Sequence, residues 1–338
     1  AVNLIQNSVK IIRAIDYIDI NQYDSYVLFI ACYLHDISMV TFPDLDSIQS
    51  ETFESDKIYS DFVIRIRDEL DNSNLAKRPV KNMLKEYYMR MDAFYEKLVR
   101  ENHARVSAYE IRKRSELDFI DNALREIVAE VSEAHGYNVN EIYKIKSEAS
   151  SKVWSQKFTK IILRMADLLD MSKYRVSTLI LNHNLDNMGE ISRFHWLSHL
   201  VTTGYNLETK YYLAKKKHET YLERHNIIEK IILTVYVTLP QITHEQSFKC
   251  TQMCLNKIEN TTIYVECGKK CEGDRCNFLC KWFSKKNAYL YDELAALKEY
   301  LENIPNNYYK PEIEVVIQSS DKNQLLPKQF SLLKNYVD

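Results

Sequence analysis

The chain has 338 residues, 46% of them hydrophobic and 27% charged, which is ample for a sizeable core in one or two domains. A net charge of −2 supplies no global basic field of the kind that attracts nucleic acid, although a local basic groove is compatible with it. No apolar run reaches the roughly 20 residues that span a bilayer and no signal peptide opens the chain, so a cytoplasmic protein without a membrane partner is expected.

Five glycines, at 136, 189, 204, 268 and 273, form no phosphate-cradling loop, which removes the Rossmann and P-loop nucleotide sites. None of the six prolines falls between Pro79 and Pro240, and this favours long helices through the middle. Val2, Leu4, Ile5, Val9, Ile12 and Ile15 have helical spacing. Residues Tyr26 to Cys32 are apolar on every side, as in a helix buried all round. Phe42 to Ser55, with Pro43, reads as a loop. Ile58 to Leu70 and Val80 to Ser115 are amphipathic helical runs broken near Asn72-Ser73-Asn74. Ile120 to Ala134 is helical, and Gly136 stands where a left-handed helix C-cap belongs. Val153 to Leu169 carries Phe158, Ile161, Ile162, Met165, Leu168 and Leu169 on a strongly apolar helix.

Past about Asn206 the texture changes. Ile231 to Leu239, ending at Pro240, is β-branched and predicts a strand, as do Thr261 to Val265 and Ile313 to Ile317. Leu290 to Ile304 predicts a helix with Leu294, Leu297 and Leu301 inward. The expected fold is mainly α: a helical metal-binding domain over 1–205, then a smaller α+β domain over 206–338.

The chemistry concentrates in Tyr33-Leu34-His35-Asp36-Ile37, a His-Asp pair closing an apolar segment. An ionised Asp in such surroundings needs a charge partner or a metal, and a carboxylate can bridge two ions. Further ligand candidates follow on successive helical segments: His103 in Glu101-Asn102-His103-Ala104-Arg105, His135 in Glu133-Ala134-His135-Gly136, and Asp167 in Arg164-Met165-Ala166-Asp167-Leu168-Leu169-Asp170. Any one of these would ordinarily be a hydrogen-bonded structural residue; four in order are harder to dismiss. Imidazole and carboxylate without thiolate suit Fe, Mn, Co, Zn or Mg rather than a cysteine-type zinc site.

This order of His-Asp, His, His and Ala-Asp resembles the HD superfamily of metal-dependent phosphohydrolases, a helical bundle around one or two metals. Leu34-His35-Asp36-Ile37 is similar to its signature pair and Arg164-Met165-Ala166-Asp167 to its last ligand helix. The inclusion of His103 and His135 is closest to the two-metal branch. Ala166-Asp167-Leu168-Leu169-Asp170, Arg175, His195-Trp196 and His199 are also similar to HD domains of bacterial conflict-system proteins. The resemblance covers about residues 1 to 205. It implies metal ligands His35, Asp36, His103, His135 and Asp167, with Asp36 bridging and a metal-activated hydroxide attacking phosphorus. The implied cofactor is divalent Mn, Fe, Co or Mg. Arg105, Lys173 and Arg175 become candidates for holding phosphate oxygens, against the plainer reading of solvated helix-surface charges. His195 and His199, one turn apart, become candidates for lining a substrate pocket. One departure stands out: the family places a further His before the pair, and residues 1 to 34 contain none. The chain also begins with Ala, so the expectation is a piece of a longer polypeptide that carries this His upstream.

Six of the seven cysteines lie between 250 and 280, interleaved with Gly268 and Gly273. Cys267, Cys271, Cys276 and Cys280 could form a structural zinc site, at spacings wider than C-x2-C, with fortuitous thiols as the alternative. Cys250 and Cys254 complete the cluster, and Cys32 reads as core packing. The leading functional expectation is a phosphohydrolase acting on a nucleotide or related phosphate ester, in bacterial defence or signalling. Its rivals are a non-catalytic sensing or interaction module within a larger protein, and a di-iron oxygenase on the same helices.

Overall fold

The computed structural model describes residues 1–15, 20–40, 100, 102–145, 155–185, 188–212, 227–243, 245–249, 275–303 and 311–320. Helices dominate them, as scarce glycine and a proline-free middle require. In chain order they are α1 (Val2–Ala14), α2 (Gln22–Leu34), α3 (Ile37–Val40), α4 (102–113), α5 (Asn122–Glu133), α6 (Val139–Lys144), α7 (Gln156–Leu168), α8 (Thr178–Asn184), α9 (Glu190–Val201) and α10 (Phe278–Glu302). The strands are β1 (Thr202–Tyr212), β2 (Ile227–Val237), β3 (Ser247–Lys249), β4 (Arg275–Asn277) and β5 (Glu312–Ser319). The fold is mainly α with a smaller α+β part. Its contacts divide it into two units, one of residues 1–26, 137–185 and 190–338, the other of 27–136 and 186–189. The strands and α10 therefore share a unit with α1 and α7, and the sequence boundary at 205/206 does not coincide with the division.

In the first unit α7 is the central helix. It buries Phe158, Ile161, Ile162, Leu163, Met165 and Ala166, and both α1 and α10 pack against it. Asn7 of α1 is buried because both halves of its amide are used: Nδ2 donates to the Ala166 carbonyl at 3.1 Å, and Oδ1 accepts from Tyr205 Oη of β1 at 2.7 Å. Buried polar groups persist only when satisfied in this way. In the sheet, β2 lies between antiparallel β1 and parallel β5. Ile231, Leu233 and Val235 pair with Ile313, Val315 and Ile317, so the buried residues of the two strands coincide in register. The two-residue side-chain period then puts one row on one face. α10 packs on β5 and buries Leu290, Leu294, Leu297 and Leu301.

α10 also supplies the charges that α7 needs. Arg164 Nε donates to both Glu293 carboxylate oxygens at 3.0 Å, Nη2 donates to the same group, and Nη1 donates to the Tyr137 carbonyl at 2.6 Å. Lys157 Nζ reaches Glu299 at 2.9 Å, and Ser155 bonds the Tyr300 hydroxyl at 3.0 Å. Burial pushes the Glu293 carboxyl up even with the Arg164 guanidinium beside it. Such a pair roughly offsets its own desolvation, but leaving one member alone does not.

The second unit holds residues 27–34 of α2, then α3, α4 and α5. Arg125 of α5 is buried and fully used: it donates to Asp118 Oδ1 at 2.7 Å and to the carbonyls of Ile111 and Arg114, closing the turn between α4 and α5. Asp121 caps α5 by accepting from Ala123 N at 2.9 Å and Leu124 N at 3.3 Å. On the surface Arg112 clasps Glu126.

Four expectations are corrected. The segment before His35 is not buried all round: Val27, Leu28, Ala31 and Cys32 face inward, while Tyr26, Phe29 and Tyr33 are exposed. The C-terminal helix begins at Phe278, not Leu290. β1 continues directly from α9 where helix was expected to 205. Gly136 does not adopt a left-handed conformation; it closes a 3-10 turn over Ala134–Gly136, and its need for glycine lies in packing. The loop at 42–55, the helix at 58–70 and the strand at 261–265 lie outside the described residues. No helix among the described residues is long and apolar enough to cross a membrane.

Glu293→Ala, which strands Arg164, is expected to destabilise the protein by about 3–5 kcal/mol, whereas Arg164→Met with Glu293→Leu recovers most of that loss. Urea unfolding followed by far-UV circular dichroism measures both.

Candidate metal centre

α2 closes when His35 N donates to the Ala31 carbonyl at 2.9 Å, and α3 is entered when Met39 N donates to the Asp36 carbonyl at 2.9 Å. His35 and Asp36 thus form the turn between two helices. Two buried serines tie this turn to α4. Ser38 N donates to Ser107 Oγ at 3.2 Å, Ser38 Oγ donates to the His103 carbonyl at 3.0 Å, and the two hydroxyls are 2.8 Å apart. The carbonyl of one candidate ligand, His103, is therefore gripped by the turn that carries His35 and Asp36.

Around this frame three imidazoles surround one carboxylate. Asp36 Oδ2 lies 3.3 Å from His35 Nε2, and Asp36 Oδ1 lies 3.4 Å from His135 Nε2 and 3.7 Å from His103 Nε2. The rings of His103 and His135 are 4.8 Å apart, and those of His35 and His135 are 5.1 Å apart. Asp36, His103 and His135 can each offer a ligand atom within 4.8 Å of the others. Ligands about 2.0–2.2 Å from one transition-metal ion sit about 3–4 Å from each other, so these separations suit a shared ion.

The far side of each ring strengthens that fit. His103 Nδ1 meets the Arg100 carbonyl at 2.6 Å, and His135 Nδ1 meets the Ser132 carbonyl. A carbonyl accepts only, so Nδ1 carries the hydrogen, and in a neutral ring the Nε2 lone pair turns to Asp36. Orientation of a ligand imidazole by a carbonyl on its other nitrogen is the usual arrangement at metal sites. Asp36 Oδ1 is shielded from solvent and has no aligned hydrogen-bond donor among the described residues. Burial alone would raise the Asp36 carboxyl, but the imidazoles of His135 and His35 outweigh it and hold the group far below the usual carboxylate range. An anion facing ring nitrogens requires positive charge between them, either a proton on an imidazole or a metal ion. The donor set fits a metal.

Asp167 is half-buried on α7, in the other unit. Arg105 is exposed on α4, two residues after His103. Lys173, half-buried, and Arg175, exposed, lie in the 3-10 turn Lys173–Arg175, where Arg175 Nη1 donates to Asp170 Oδ2 and to the Asp170 carbonyl, each at 2.8 Å. His195 and His199 are half-buried on α9, and His199 Nδ1 accepts from Ser172 N at 3.4 Å. Cys276 lies on β4 opposite Phe248, and Cys280 lies in the first turn of α10. Cys250, Cys254, Cys267 and Cys271 lie outside the described residues. Ser38 and Ser107 were missed by the sequence reading, because a serine on a helix carries no signal of what it grips.

A family model described as HD-CE matches residues 1–241, which takes in β1 and β2 as well as the helices. No curated protein and no solved structure matches the chain.

Asp36→Asn removes the central charge and should weaken Co(II) binding by about 100-fold, the upper end of what ligand-supporting changes cost. The far-UV circular dichroism spectrum should stay as it is. Calorimetric titration of chelator-treated protein measures the affinity; equal binding by both proteins would place the metal elsewhere.

Proposed function

This chain belongs to the HD-CE family, and on that premise we propose that it is a cytoplasmic, metal-dependent phosphohydrolase acting on a nucleotide or related phosphate ester, in bacterial defence or signalling. The observation that carries the reading is the Asp36 carboxylate ringed by His35, His103 and His135. Asp36, His103 and His135 would hold a divalent ion, His35 would stand on the second carboxylate oxygen, and Asp167 would be the further carboxylate. A divalent metal held there supplies Lewis acidity, which lowers the pKa of bound water and draws charge from phosphoryl oxygens. Two imidazoles to one carboxylate favour Mn, Fe or Co over Mg, whose preference is for oxygen ligands.

The chain's own residues do the positioning. The carbonyls of Arg100 and Ser132 hold the hydrogens on Nδ1 of His103 and His135, so each ring offers Nε2. Ser38 and Ser107 keep the His35-Asp36 turn against α4. Arg105, exposed two residues after His103, is proposed to bind a phosphate oxygen. Lys173 and Arg175 are proposed as further cations, Arg175 from its pairing with Asp170. His195 and His199 are proposed to line the pocket. A structural zinc on Cys267, Cys271, Cys276 and Cys280 is a separate part of the proposal, supported by clustered thiols and interleaved glycines.

A second reading is a non-catalytic sensing module within a larger protein. It is favoured by one observation, the lack of histidine in residues 1–34.

The test is phosphate release from a panel of nucleotides and phosphate esters with Mn, Fe, Co or Mg added, for the wild type and for Asp36→Ala. Turnover with a transition metal, lost by at least about 1,000-fold in the variant, is the expected result. Metal binding without turnover on any ester supports the sensing module, and equal rates in both proteins would put the chemistry at another site.

A further inference from the structure

His103 and His135 are each followed by a very small residue, Ala104 and Gly136, and these two residues touch. A β-carbon built on Gly136 would stand 2.5 Å from Ala104 Cβ. Carbon atoms rest about 3.5–4.0 Å apart, so any side chain at 136 drives the two segments apart by about 1 Å. The obstructing atom is a β-carbon fixed to the α4 backbone, so no change of rotamer relieves the clash. Gly136 is not left-handed, so nothing in its own backbone requires glycine. The requirement comes from across the gap.

We propose that the Ala104–Gly136 contact is a positioning device. By letting the α4 backbone and the Ala134–Gly136 turn meet, it sets the 4.8 Å spacing of the His103 and His135 rings and hence the affinity of the centre for its ion. The inference rests on the metal reading above. Each ligand is one residue from the contact, so a displacement there is carried by a single peptide unit to the imidazole. Metal sites tolerate ligand displacements of only about 0.2 Å, well below the shift that a methyl group at 136 imposes. The serine clamp holds the His35-Asp36 turn to α4, Arg125 and Arg112 tie α5 to α4 farther along, and the Ala104–Gly136 contact is the approach that adjoins the third ligand itself.

The experiment uses the full chain, stripped with chelator and titrated with Co(II), followed by calorimetry and by visible absorption of the bound ion. Gly136→Ala should weaken Co(II) binding by about 10- to 100-fold, as loss of a ligand-supporting contact does. Ala104→Gly combined with Gly136→Ala should return it to the wild-type value, because Ala104 Cα lies an acceptable 4.0 Å from the new β-carbon. An unchanged far-UV circular dichroism spectrum of Gly136→Ala alongside its weakened Co(II) binding separates positioning of the ligands from a general loss of fold. Wild-type affinity in Gly136→Ala overturns the inference, and so does weak binding by a folded double variant. If Gly136→Ala does not fold, the double variant alone decides. A wild type that binds no Co(II) overturns the metal reading itself and this inference with it.

Discussion

The arrangement depends on one electrostatic constraint: a carboxylate with three imidazole nitrogens within 3.3 to 3.7 Å of its oxygens. Neutral rings turned this way oppose lone pairs to an anion, and only positive charge in the space between makes the group stable. Everything nearby works to keep that unfavourable geometry from relaxing. Carbonyl oxygens hold two of the rings from behind, paired serines lock the turn, and Arg125 closes α4 onto α5. The frame is built from contacts that no ion supplies, so a binding site of this kind is organised before its ion arrives.

Much of this was legible in the sequence, for a definite reason. Histidine and aspartate at the end of an apolar run conflict with local burial, and such conflicts mark function. His35 and Asp36 carried that signal, His103 and His135 stood out by their order on successive helical segments, and the fold gathers all four. Apolar spacing likewise revealed α7 and β2, whose inward residues are buried over most of their length. Less legible was what depends on distant partners. Gly136 looked like a helix cap because a sequence records the absence of a side chain but not what fills its place. Nothing in the sequence singled out Glu293, whose partner Arg164 is 129 residues away. β1 was overlooked because Tyr205, Asn206, Leu207, Glu208, Thr209 and Lys210 are half-exposed or exposed, which leaves little apolar alternation to read. In α2 the tyrosines were counted as apolar, yet a tyrosine serves equally well on a wet face.

The dependence of α7 on α10 reaches beyond stability to the order in which the chain can fold as it is made. Lys157 and Arg164 leave the ribosome 142 and 129 residues before Glu299 and Glu293. At about 5–20 residues per second, α7 therefore waits roughly 6 to 30 seconds for its counter-charges. Until then Lys157 and Arg164 sit on the helix meant for the centre of the unit, and its apolar face cannot close without burying them apart from these two carboxylates. The first unit is thus obliged to finish after synthesis of α10, with α1 waiting longer still. In the segment 27–136 the serine clamp and the Arg125 contacts join residues no more than 69 apart, so they wait for less of the chain. A nascent chain interrupted before Phe278 would carry a completed ligand cluster in one unit and an uncompleted core in the other, the kind of exposed apolar surface that chaperones bind.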